Sequence, residues 1–436
     1  MSVWEKKNRI LATCPKGAAF CLRAEIEALG FPVLNEIDTA CQTEGTLADT
    51  MLLNLHLRTA QRVLYQLQMF KVITPAALYE GIKAIPWETL LYDSGPDAYV
   101  CVTSVVENPQ ITDTRFANLK TKDAIVDRIR EKTGLRPDSG PAKDRAVIHL
   151  YWRNDQAMVY IDTSGERLSR RGYRKIPLAA PMQETLAAAL VLATGWKADR
   201  PLINPMCGSG TLAIEAALIA LERASGLNRN RYGFMHIKNF PRETWQEMRK
   251  NARASSLRTL PAPIIASDID PGAVEAARRN AQTAGVEHLI EFKNLPFEKT
   301  PVPGGGGVII LNPPYGERLE ALPVKKDPAV ERKKEIAGKK IILRKAGAAA
   351  GIKQGQNQIQ RLESLYENCG NWFKSIGRGY RGYIFTGNLE MAKKVGLRTK
   401  RRLTFYNGEI ECRLLEYELY PGSKKRLPPE KEQGDD

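Results

Sequence analysis

Residues 308–315 read Val-Ile-Ile-Leu-Asn-Pro-Pro-Tyr, so four apolar residues suited to a buried strand run directly into an amide, two prolines and a phenol ring. Pro313 and Pro314 lack a backbone N–H and have a fixed φ, so the chain cannot turn at once into a helix, and Asn312 is held in a stiff turn. The side-chain oxygen of Asn312 and the carbonyl of Pro313 are two acceptors, which suits the two N–H groups of an amine on an aromatic ring. Such an amine is a poor nucleophile because its lone pair is delocalised. Holding both hydrogens steers the lone pair toward an electrophile, which is catalysis by positioning and needs no strong base. Tyr315 is then placed to stack on the ring, and in a nucleic acid that requires the base to be flipped out of its helix.

A second group of residues could hold a nucleotide-like molecule. Residues 201–221, PLINPMCGSGTLAIEAALIAL, read as a strand, a turn at Gly208-Ser209-Gly210 and a long apolar helix. Glycines allow close backbone approach, and the helix start offers free N–H groups. The spacing lacks the third glycine of a dinucleotide site and the Lys-Ser/Thr of a P-loop, so NAD and ATP both fit poorly. Cys207 reads as a small residue packing the loop. The next strand ends in ASDID, where Asp268 is placed to accept hydrogen bonds from a ribose diol. Asp270 suits the N-cap of the following helix, with Pro271 at its first position. Asn294, at the end of a third strand, is either an adenine partner or a plain loop asparagine.

These residues need strands to carry them. Five strand-like runs, at 201–206, 263–270, 288–295, 307–312 and 382–387, alternate with helical segments, the pattern of a mostly parallel sheet covered on both faces. Two alternating runs joined by Asn407-Gly408 predict an antiparallel hairpin at one edge. Residues 1–60 and 61–165 read as two smaller α+β units, and 166–180 as a basic, glycine-punctuated linker. In that linker Arg170, Arg171, Arg174 and Lys175 around Tyr173 would either grip phosphates and stack on a base or form a solvated charged tether.

Charge and composition narrow the partner. Lys and Arg number 65 against 49 Asp and Glu, a net charge of +16 on a chain of 436 residues, which favours nucleic acid before membrane. No run approaches the length of a membrane span, and the first residues have no apolar signal core, so a cytoplasmic protein is expected. Seven scattered cysteines and four histidines indicate neither a disulfide framework nor a zinc site.

Taken in order, the glycine loop, the acidic strand end and Asn-Pro-Pro-Tyr resemble the motifs of class I S-adenosylmethionine-dependent amino methyltransferases. The stretches DTSGERLSRRGYRK, AAPMQETLAAALVLATGW, NPMCGSGTLAIEAALIA and NPPYGERL extend this to bacterial THUMP-domain RNA methyltransferases that modify guanine N2 in large-subunit (23S) ribosomal RNA. The resemblance implies a ferredoxin-like domain over 1–60, a THUMP domain over 61–165 and a Rossmann-like methyltransferase domain over 181–421, ending in a charged tail at 422–436. It implies S-adenosyl-L-methionine as cofactor, contacted by Asn204, Pro205, Met206, Cys207, Gly208, Ser209, Gly210 and Thr211, by Asp268, Ile269 and Asn294, and by Thr185 at the methionine end. Asn312, Pro313, Pro314 and Tyr315 take the base. The basic linker residues, with Lys122, are the implied RNA contacts, and structured RNA is the implied partner. Transfer RNA guanine, DNA adenine and protein glutamine remain alternative targets, as does a catalytically silent RNA-binding module.

Two departures from the family pattern stand out. Relatives usually carry Asp where this chain has Asn204, which offers no negative charge to a cofactor ammonium. An insertion at 323–357 holds ten Lys/Arg and three acids and supplies +7 of the +16. It is either an RNA clamp or a tolerated insertion.

Overall fold

The computed structural model describes residues 2–108, 113–176, 182–315, 344–376 and 379–420. The front half contains strands β1 (Lys7–Thr13), β2 (Asn35–Ile37), β3 (Ala40–Thr46), β4 (Arg62–Lys71), β5 (Tyr99–Glu107), β6 (Asp138–Ser139), β7 (Ala146–Arg153) and β8 (Gln156–Asp162). Its helices are α1 (Ala19–Ala28), α2 (Asp49–His56), α3 (Pro75–Lys83) and α4 (Thr114–Thr133). The strands form one sheet of order β2-β3-β1-β4-β8-β7-β5-β6. The two α+β units expected from the sequence therefore share a sheet, because β4 pairs antiparallel with β1 on one side and β8 on the other. Sequence periodicity does not show β3, whose buried positions are small or polar, Cys41, Thr43 and Gly45 among them.

The second half follows the alternation expected. Strands β9 (Leu202–Pro205), β10 (Ile264–Asp268), β11 (Ile290–Asn294), β12 (Gly307–Leu311), β13 (Tyr380–Thr386), β14 (Arg401–Asn407) and β15 (Ile410–Glu418) order as β11-β10-β9-β12-β13-β15-β14. The first five are parallel, and β15 and β14 run antiparallel at the edge. Helices α5 (Glu184–Ala193), α6 (Thr211–Ala220), α7 (Arg242–Ala254), α8 (Pro271–Ala284), α9 (Arg344–Ser375) and α10 (Leu389–Lys394) accompany it. The hairpin tip uses Gly408 at φ 66°, whereas Asn407 stays in β14 and pairs with Ile410, so Gly408-Glu409 makes the turn. Gly134, with φ 76°, ends α4 in the left-handed conformation that stops a helix at a glycine.

The order of this sheet reverses at β9: β10 lies on one side and β12 on the other. In open α/β sheets ligands bind outside the carboxyl ends of the strands at such a switch point, and here β9 leads into the glycine loop while β12 leads into Asn312. The two halves are not tethered loosely. One hydrophobic cluster runs from Trp4 and Leu22 through Leu168 and Tyr173 to Leu190 and Phe405, and the Trp4 indole donates to the Lys238 carbonyl at 2.8 Å. Residues 323–343 of the insertion and the tail at 422–436 lie outside the described residues, and 344–357 belong to the first turns of α9.

Candidate active site

At the end of β9 the chain makes a turn that side chains seldom tolerate. Met206, Gly208 and Gly210 all have positive φ, at 57°, 55° and 81°. Nothing lies within 4 Å of where a Gly208 Cβ would be, whereas one at Gly210 would come within 2.8 Å of Ala277 on α8. The two glycines thus do different work: Gly208 leaves room beside the loop, and Gly210 lets α6 and α8 pack closely. Gly210 caps α6, whose first N–H groups face the loop.

Asp268 closes the other side. Its carboxylate accepts from the Gly208 N–H at 2.9 Å and the Asp270 N–H at 3.1 Å, tying the end of β10 to the glycine loop. Burial raises its pKa above the ordinary carboxylate value, with the two backbone donors acting in the opposite direction. Asp270 caps α8 through Gly272 N–H with Pro271 at the first position, as expected. Ile269 is 64% exposed, an apolar side chain left beside the loop. Asn294 pairs in register with Asp268, and its amide donates to the carbonyls of Asp268 and Ile269 at 3.0 and 3.1 Å. It braces this rim. Cys207 is buried, and desolvation pushes its thiol far above the usual range, which suits the packing role read for it.

Across the switch point the Asn204 amide donates to the Ile310 carbonyl at 2.9 Å, two residues before Asn312. An aspartate could not donate here, so this residue couples the glycine-loop strand to the strand that carries Asn-Pro-Pro-Tyr. The side-chain oxygens of Asn204, Asn312 and Thr185 are buried without a hydrogen-bond partner among the described residues. Buried acceptors are normally satisfied, and these three mark positions where a bound molecule can supply donors. Thr185 belongs to the same region: Arg174 donates to the Met182 carbonyl and to Thr211 Oγ1 at 3.1 Å, pinning the start of α5 against the start of α6. The glycine loop, Asp268, Thr185 and Asn204 fit a nucleoside with an amino-acid tail, although the Asn204 amide brings no charge to it.

Tyr315 sits differently from expectation. Its ring is 1% exposed, edge-on to Phe385 at 6.2 Å, and its hydroxyl accepts from Asn407 Nδ2 at 3.0 Å. In this position the ring anchors the Asn-Pro-Pro-Tyr segment to the hairpin and has no free face for a base. Stacking by Tyr315 would require it to leave this site. Pro313 is buried and Pro314 half-buried beside it.

The proposed RNA contacts divide. Arg171 and Tyr173 are each 1% exposed, and both reach Glu215 on α6, at 3.4 and 2.9 Å. Arg171 also donates to the Arg58 carbonyl in the front half. Burial drives the Tyr173 hydroxyl well above its ordinary pKa, so it stays a neutral donor to the carboxylate. The segment read as a linker is thus the packed centre of the seam, and these two residues cannot touch RNA from inside it. Arg174 is half-buried and occupied at the helix starts, with Glu184 3.5 Å away. Arg170 and Lys175 are exposed, Arg170 paired with Glu166, and Lys122 pairs with Asp123 at 2.7 Å. Sequence reading missed Asn280, buried on α8: it accepts from Lys175 N–H at 2.9 Å and donates to the Ser209 carbonyl at 3.2 Å, locking the seam to the glycine loop. A polar residue on the apolar face of a helix was the available signal. Asn407 and Gly387, which meet Tyr315, carried none. Among the described residues there is no group of three or more metal-ligating side chains, and no helix is long and apolar enough to cross a membrane.

The strand order, the glycine turn after the first strand of the second sheet and the carboxylate after the next define a class I methyltransferase domain. Comparison with known families agrees: residues 171–327 match the RMKL-like methyltransferase domain, 9–64 the RlmL ferredoxin-like domain and 74–162 the THUMP domain. The chain belongs to this family of THUMP-containing, S-adenosylmethionine-dependent methyltransferases. It is 34% identical over 422 residues to the ribosomal RNA large subunit methyltransferase K/L of Syntrophotalea carbinolica, covering 94% of this chain and 53% of that protein, so it spans about half the relative's length. Among solved structures, a predicted N6-adenine-specific DNA methylase from Listeria monocytogenes is similar at 30% identity and TM-score 0.76, covering 94% of this chain and 96% of that one. SMU.472, solved in complex with SAH, is 26% identical at TM-score 0.75, covering 97% of this chain and all of the other.

Proposed function

We propose that this protein transfers a methyl group from S-adenosyl-L-methionine to the exocyclic N2 amine of a guanine in large-subunit ribosomal RNA. The observation that carries the reading is the buried, unpartnered Asn312 oxygen at the carboxyl end of β12, across the switch point from the glycine loop. The cofactor supplies an electrophilic methyl carbon. The Gly208–Gly210 turn and the start of α6 hold it, Asp268 faces its ribose, and Thr185 and Asn204 offer acceptors toward its amino-acid end. Asn312 and the Pro313 carbonyl accept the two N–H groups of a flipped base and turn its lone pair toward that carbon. The amine proton leaves to solvent once the nitrogen has been alkylated, so no strong base is asked of the site.

RNA is favoured over DNA as the substrate by the THUMP match and by the excess of basic residues, and ribosomal RNA by the names of the curated relatives. The test is to incubate the protein with methyl-labelled cofactor and separate transcripts of large-subunit ribosomal RNA, transfer RNA and single-stranded DNA, then map the labelled base. Label on guanine N2 of the ribosomal transcript is the expected result. Label on adenine N6 or on transfer RNA alone would overturn the substrate assignment, and no label on any of them would overturn the activity.

A further inference from the structure

Between β1, the start of α5 and the β14–β15 hairpin lies a cleft of about 350 Å³, lined by residues from both halves of the chain. Its size is at the lower end of small-ligand sites, enough for about one nucleotide. Two cations stand in its wall, Lys16 from the front half and Arg167 from the seam, both exposed, and no Asp or Glu lines it. The Lys16 ammonium lies 4.3 Å from the centre of the Tyr406 ring, and the Tyr406 hydroxyl donates to Glu411 at 2.8 Å, so the ring and the cation hold each other in place. Also in the lining, Gln61 Nε2 donates to Gln183 Oε1 at 3.1 Å. That bond leaves the pair presenting one carbonyl oxygen and one NH₂ group.

The β14–β15 hairpin links the cleft to the candidate active site. Gly408 lines it, and the neighbouring Asn407 holds the Tyr315 hydroxyl. The pairing of β15 with β13, Thr386 opposite Arg413, puts the hairpin tip at the carboxyl ends of the parallel strands, on the same edge as Asn312. Gln183 lies two residues before Thr185.

We propose that this cleft holds a nucleotide next to the methylated base in the same RNA strand. Its phosphate lies between Lys16 and Arg167, its sugar and base pack along Tyr406, and the base edge meets the Gln61–Gln183 pair. This rests on the RNA methyltransferase reading above, and it makes the docking of the front half onto the methyltransferase domain part of the substrate site.

The test uses the full chain and fluorescein-labelled single-stranded RNA containing an unpaired guanine, with binding followed by anisotropy at several salt concentrations. Lys16→Glu and Arg167→Glu should each weaken RNA binding by about tenfold and flatten the slope of log K against log salt by roughly 0.7 per lost phosphate contact. Affinity for S-adenosylhomocysteine, measured by calorimetry, should be unchanged. Parent-like RNA affinity and salt slope in both variants would overturn the proposal. So would a nucleoside monophosphate that saturates the cleft, protecting the Thr39→Cys variant from alkylation, without competing with the RNA. Because binding is read without turnover, failure of the methylation assay would reject the enzymatic reading and leave the cleft to be judged by these data.

Discussion

The proposed function gives Asn312 and Asp268 different tasks, and substitutions should separate them. Asn312→Ala removes an acceptor that nothing else in the described structure satisfies. We expect methyl transfer to fall more than about tenfold, a loss of about 1.4 kcal/mol or more of barrier stabilisation, while calorimetry finds cofactor affinity nearly intact. Retention of most of the turnover would remove Asn312 from the positioning role. Asp268→Ala should act on the ground state, weakening the cofactor by about 1–3 kcal/mol, because it removes a carboxylate that also holds the Gly208 and Asp270 N–H groups. An unchanged dissociation constant would show that the ribose does not reach it. Since burial raises the Asp268 pKa, cofactor affinity should decline on acidification at a higher pH than an ordinary aspartate would cause.

At the scale of elements, the front sheet carries a half-buried histidine with a consequence for acid stability. His149 on β7 faces Thr103 on β5, 2.9 Å from its hydroxyl, and its pKa is lowered to about 4 by burial first, then by Arg62 and Lys143. The unfolded chain therefore takes up a proton near pH 6.5 that the folded chain refuses until about pH 4, so stability rises with pH across that window and is lost as pH falls through it. The expected loss is on the order of 2–3 kcal/mol. Urea unfolding at pH 7 and pH 4.5 should show it, and His149→Gln should flatten the dependence. An equal slope in the variant would assign acid sensitivity to other groups.

Across the whole molecule, the seam is held by charges that have no access to water. Arg171 and Glu215 are 1% and 0% exposed, so removing one leaves the other buried and uncompensated. Arg171→Ala should cost about 3–5 kcal/mol in urea unfolding, whereas Arg170→Ala, one residue away and exposed, should stay within about 0.5 kcal/mol. A small effect at Arg171 would mean that water reaches the seam. By the same argument, a fragment beginning at residue 182 loses Arg171, Tyr173 and the apolar surface of the front half together, and should unfold at lower temperature than the full chain.

What could be read along the chain was whatever depends on near neighbours. The parallel strands of the second half show as short apolar runs between helical patterns, the hairpin shows as Asn407-Gly408, and the cap of α8 shows as Asp270-Pro271, because each is set by backbone preferences a few residues long. The glycine loop and Asn-Pro-Pro-Tyr were legible for the same reason: stiffness and close approach are written in glycine and proline. Only the tertiary structure decided the fate of the basic segment at 166–180, since a charged stretch looks alike whether water or Glu215 receives it. It alone revealed that β4 fuses the two front units into one sheet, and that the Tyr315 ring is buried with its hydroxyl held by Asn407. These outcomes depend on partners tens to hundreds of residues distant, and desolvation of a charge or a ring is a property of the packed neighbourhood, which no local pattern encodes.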